Sequence, residues 1–182
     1  MRLLLLPMMA ACLWLAPVCA EAEDGGKKQG AGIAVIDFDY VDTSGEERDQ
    51  RKEHEARLDA FMRALRDDIA TRGSFRLVTP ACTPNPCALA GSTVGDVLAA
   101  ARDAGADILL IGGVQKMSTL VQWAKFSLID VKAGTAVFDR LVTFRGDSDE
   151  AWRRAEAFTV RDILDREAEF TPPLAAALPR SP

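Results

Sequence analysis

The sequence predicts a single α/β domain: a mixed five-stranded sheet of order about 2-1-3-4-5, with helices on both faces, in the chain order β-α-β-α-β-β-β-α. Three observations carry this reading. Short apolar, β-branched runs at residues 32–40, 75–79 and 107–114 alternate with segments of helical periodicity, and such alternation gives parallel strands. Two longer runs, 120–131 and 135–144, flank the turn Lys132-Ala-Gly134 and read as an antiparallel hairpin. An amphipathic segment opening at Asp147-Ser-Asp-Glu150 supplies the last helix.

The chain opens with Met1-Arg2 and an apolar stretch from Leu3 to Ala20, the pattern of a cleavable signal peptide over residues 1–20, cut after Ala20 or Ala22. A retained anchor, or lipidation at Cys12 or Cys19, are the competing readings. The expected location is therefore the periplasm. Residues 21–31 are polar and Gly-rich and read as a flexible leader. The domain is expected over 32–167 and a disordered Pro/Ala-rich tail over 168–182.

Within the domain, the first strand ends in the polar loop Asp42-Thr-Ser-Gly45. A helix follows over about 46–72. Its second half sets Leu58, Phe61, Met62, Leu65 and Ile69 on one face. Its first half is almost wholly charged and is expected to project into solvent, with Glu53 and Arg57 paired at i, i+4. Gly73 stops it. After the second strand, Cys82-Thr-Pro-Asn-Pro-Cys87 forms a rigid loop. Thr93 and Asp96 have the spacing of a capping box, opening a helix with Val94, Val97, Leu98 and Ala101 on its apolar face. Residues 107–114 are apolar on both faces, as in a central strand. The last helix should turn Trp152, Ala155, Phe158, Thr159 and Ile163 inward.

Three segments carry a resemblance: Ile33-Ala-Val-Ile-Asp-Phe38, Gly105-Ala-Asp-Ile-Leu-Leu-Ile-Gly112 and Ile129-Asp-Val-Lys-Ala-Gly-Thr135. In that order they resemble the amino-terminal domain of TolB and the related envelope domains of CsgG and LpoB, over roughly residues 32–165. A closer likeness is to an exported bacterial family of unknown function, through Gly113-Val-Gln-Lys-Met-Ser-Thr-Leu-Val-Gln-Trp-Ala-Lys125 and the run from Phe138 to Arg154. The chain lacks the pore-forming segments of CsgG and the propeller repeats of TolB. The resemblance implies non-enzymatic accessory work in a cell-envelope complex, with an envelope protein as partner.

The chain carries 22 basic and 27 acidic side chains, and removal of Arg2 leaves a net charge of about −6. A nucleic-acid binder would show a basic face instead. Cys82 and Cys87, a close pair in an oxidising compartment, are expected to form a disulfide. His54 is the only histidine and has no zinc-binding spacing around it, so no metal or cofactor site is expected, and it reads as a surface residue. Asp37, Asp39 and Asp42 end the first strand, Gly112 and Gly113 its neighbour, and Arg145 and Asp147 the last strand. Ligands of open α/β sheets bind beyond the carboxyl ends of the strands, so these seven residues form the candidate ligand or partner edge. Catalytic residues are not assigned. A small hydrolase using Asp37 and Asp39 is the alternative to a binding module.

Overall fold

The computed structural model describes residues 30–83 and 87–170. The expected signal peptide, nearly all of the leader and residues 171–182 of the expected tail lie outside the described residues. Strands β1 (Gly32–Val35), β2 (Asp39–Asp42), β3 (Arg76–Val78), β4 (Ile108–Lys116), β5 (Val121–Asp130) and β6 (Thr135–Arg145) form one sheet. Helices α1 (Arg51–Arg72), α2 (Val94–Asp103), α3 (Asp149–Leu164) and α4 (Glu167–Phe170) complete the chain, the last turn running past the expected boundary at 167.

The sheet order is β3-β1-β4-β5-β6, which is the expected order once the first expected strand is divided in two. β1 runs parallel between β3 and β4, and β5 and β6 follow antiparallel. β2 continues beside β4 beyond the end of β1, pairing Asp39 with Gly113 and Asp42 with Lys116. The break between β1 and β2 centres on Asp37. Its N–H donates to the Cys87 carbonyl at 2.7 Å, and the residue bridges to Ala88. A charged side chain there leaves the ladder, and Phe38 turns back into the core.

α1 and α3 cover one face. Ile33, Val35, Leu110, Phe126 and Leu128 of the sheet meet Phe61, Leu65, Ile69, Trp152 and Ile163 there. Burying an aliphatic side chain of this size contributes about 2 kcal/mol. On the other face, Ala34, Ile36, Leu109 and Ile129 meet Val97 and Ala101 of α2 and Cys87. Cys82 and Cys87 form the expected disulfide. The outer face of the β5–β6 end lies beyond α2, where Lys125, Val137 and Leu141 are exposed.

Local signals in the sequence explain most element ends. Thr93 Oγ1 accepts from the Asp96 N–H, and the Asp96 carboxylate accepts from the Thr93 N–H, which closes the capping box. Ser148 caps α3, and Asp147 does not. Gly134 takes the positive φ of the β5–β6 turn, +69°. Val94, expected on the apolar face of α2, is exposed instead. α1 starts at Arg51, not near Glu46, because the Glu46 side chain turns inward to a buried lysine. Glu53 meets Arg48, and Arg57 reaches across to α3, so the expected Glu53–Arg57 pair does not form as a contact. Trp152, Ala155, Thr159 and Ile163 face inward as expected, joined by Glu156 and Val160, while Phe158 is half-buried beneath Arg161.

Candidate functional site

The seven expected edge residues do not come together as one group. Asp37 accepts from Arg66 of α1 at 2.5 Å, and Arg66 also donates to the Val35 carbonyl at 3.1 Å. Asp39 accepts from the Ala90 N–H at 3.1 Å. Asp42 accepts from the Ser44 N–H and hydroxyl, at 2.9 and 2.6 Å. Each carboxylate therefore has its own hydrogen-bond partner. Gly112 lies beneath the Phe38 ring, where a Cβ would stand 2.5 Å from Cζ; Gly113 lies beside the Asp39 carbonyl. Arg145 sits exposed at the end of β6, opposite Val121.

Asp147 is the centre of a buried polar cluster at the carboxyl edge. Its Oδ2 meets His54 Nε2 at 2.8 Å and Lys116 Nζ at 2.9 Å. Its Oδ1 accepts from Arg57 Nη1 at 2.8 Å and from Gln122 Nε2 at 3.3 Å. Lys116 also donates to Glu46 at 2.8 Å and to Gln50 at 2.6 Å. His54 is only 2 % exposed, and Lys116 and Gln122 are fully buried.

The fold delivers each of these side chains by simple parity. Alternate residues of a strand face one side. Leu110, Val114 and Lys116 of β4 therefore point toward α1 and α3 together, and Gln122 stands opposite Lys116 in the β4–β5 register. Gly146 follows β6 with a φ of +92°, and this turn brings Asp147 to the sheet edge. His54 and Arg57, three apart on α1, reach the same carboxylate. The Tyr40 ring lies against His54, with centroids 4.7 Å apart.

Burial opposes the charge on Asp147, but hydrogen bonds and charge from His54 and Lys116 outweigh it and hold its carboxyl down at about 2. Burial likewise opposes charge on Lys116, yet Glu46 and Asp147 raise it above the usual lysine value. Tyr40 is raised by burial and by the carboxylates of Asp42 and Asp147. An ion cluster of this kind, in which every charge has a partner, joins the 43–50 loop, α1, β4 and the start of α3. No group of three or more His, Cys, Asp or Glu among the described residues is placed to hold a metal ion.

Asp147, expected at the sheet edge, lies there; its partners are not among the expected edge residues. His54, read as a surface residue, is buried. It lies four residues before Leu58 and seven before Phe61, so it shares the apolar stripe of α1. Lys116 follows Val114 by two, on the core side of β4. These two spacings were the available signals.

The profile of the family described as "Protein of unknown function (DUF2380)" matches residues 31–164. No curated protein matches the chain. Among solved structures, the chain is similar to the LpoB C-terminal domain from Salmonella enterica, at 18 % identity and a TM-score of 0.44, over 63 % of this chain and 82 % of that one. It is similar to TolB from Acinetobacter baumannii, at 14 % identity and 0.46, over 76 % of this chain and 28 % of that one. It is similar to the PelC dodecamer from Paraburkholderia phytofirmans, at 18 % identity and 0.48, over 76 % of this chain and 87 % of that one. These are distant likenesses of fold, and the expected TolB and LpoB resemblance is among them.

Proposed function

We infer the function of this chain, which belongs to the family described as "Protein of unknown function (DUF2380)", from its own surfaces. It is a periplasmic, non-enzymatic accessory module that holds an envelope protein partner. The observation that carries the reading is β6. This strand of 11 residues ends the sheet and has β5 as its only strand neighbour among the described residues. Val137 and Leu141 are 44 % and 52 % exposed on its outer face. An edge strand leaves a row of backbone donors and acceptors unpaired, and a partner strand can complete them while apolar side chains add specificity. The export signal expected at residues 1–20 supports the location, and no helix among the described residues is long and apolar enough to cross a membrane.

The hydrolase alternative needs Asp37 and Asp39 to act on one substrate. The Asp37 carboxylate is paired with Arg66 and the Asp39 carboxylate accepts from the Ala90 N–H, so both are already engaged and this geometry does not favour it. A photo-crosslinking residue at Leu141, in cells producing the full chain, tests the binding reading. We expect one reproducible protein adduct, lost when Val137 and Leu141 are both changed to lysine. Adducts from a probe at Asp42 but none from Leu141 would move the contact to the acidic edge.

A further inference from the structure

α1 and α3 run side by side in the same direction, starting together at Asp147 and ending together near Gly73 and Leu164. On their outer side a groove of about 600 Å³ opens. Small-molecule sites are of this size, mostly apolar, with a few polar groups. Ala56, Ala60 and Ala64 recur every fourth residue and leave α1 without bulk there; Phe61 and Trp152 lie beneath, and Glu156 joins the lining. Glu156 is the second, independent feature. It is 5 % exposed, and its Oε1 has no hydrogen-bond partner.

The other charges around the groove are already paired within the chain. Arg57 is held by Asp147 and Asp149, Arg153 by Glu150, and Glu53 by Arg48. Asp68 and Arg72, which also face Glu156, pair with each other. Glu156 has no ion-pair partner among the described residues, so the groove offers one carboxyl in an apolar trough. We propose that this groove binds a small organic ammonium ion, its nitrogen on Glu156 and its apolar body along Ala56, Ala60 and Ala64. Burial, with the Asp68 charge, raises the Glu156 carboxyl to about 7, against the pull of Arg72 and Arg153. A bound cation reverses that balance and expels the proton.

The proposal does not depend on the β6 reading. Its test is calorimetric titration of the full chain at pH 7 with octylammonium, and with octanol and octanoate for comparison, in two buffers of different ionisation enthalpy. Octylammonium should bind roughly tenfold or more tighter than octanol, as expected of a charge-assisted hydrogen bond, and octanoate more weakly than either. Binding should release about half a proton at pH 7, and none at pH 9. E156Q should bind octylammonium and octanol alike and release no proton. A60L, at an exposed position, should block both ligands. Equal affinity for octylammonium and octanol in the natural chain, undiminished octylammonium binding in E156Q, or no binding of any probe would overturn the proposal. Adduct formation from Leu141, unchanged in E156Q and A60L, keeps this outcome separate from the partner-binding reading.

Discussion

At the scale of single residues, Asp147 carries the greatest consequence. A buried carboxylate held by Lys116, Arg57 and His54 is stabilised by them, and they by it; removing one member strands the others. The D147N variant should lose about 3 kcal/mol at pH 7, read as a lower urea midpoint with unchanged slope. The pH dependence has a definite sign. The folded carboxyl titrates at about 2, below its unfolded value of 3.8. Its contribution, about 2 kcal/mol, is fully present above the unfolded value and lost as pH falls through 4 toward 2. D147N should lack that part of the acid limb. Asp147 was legible in the sequence as an edge residue, because strand ends and caps leave local signals. Its partners were not, because a lysine's charge reads as exposure unless strand parity is followed. Lys116 and His54 both stand in rows set by apolar residues, and those rows decide where they point.

At the scale of elements, propensity and spacing were good guides wherever a local signal acts alone. The Thr93 capping box is such a case. α2 buries only Val97 and Ala101 and so depends more on its cap than α1 does. T93A should cost about 1 kcal/mol, a fall of roughly 4 °C in thermal midpoint. The hairpin was equally plain, since Gly134 between two long strand-forming runs specifies it locally. The first strand was not. Residues 32–40 look continuous because apolar residues continue through Ile36, Phe38 and Tyr40. The break is made by partners far away in sequence, Cys87, Ala88 and Arg66, which draw Asp37 out of the ladder. The start of α1 moved for a similar reason: Glu46 and Gln50 are taken by Lys116 before the helix begins.

At the scale of the whole molecule, the two faces of the sheet are held differently. α1 and α3 make a broad apolar layer on one side. The other side has α2 and the segment closed by Cys82–Cys87, which supplies Cys87 to the second core and the Cys87 carbonyl to Asp37. A bridge across so short a loop stabilises by roughly 2 kcal/mol in the chain-entropy account. Adding reductant should lower the unfolding free energy by that amount, read as a lower urea midpoint with unchanged slope, while leaving the far-ultraviolet spectrum of the folded chain unchanged. Free thiols in protein taken from the periplasm would contradict the bridge.

The cluster around Asp147 also bears on how quickly the chain folds. The contacts that residues 46–57 make within it join positions 66 to 93 apart, and Gly32 at the head of β1 donates to Asp107, 75 positions on. Long loops must close before any of these contacts is rewarded, which slows folding. Among the described strands, the β4–β5 and β5–β6 hairpins form from neighbouring residues, while the parallel pairings of β1, β2, β3 and β4 do not. On the proposed periplasmic reading, a chain exported before it folds would gain from this order of events, because its parallel centre would stay open until β4 and the start of α3 had followed β1 across.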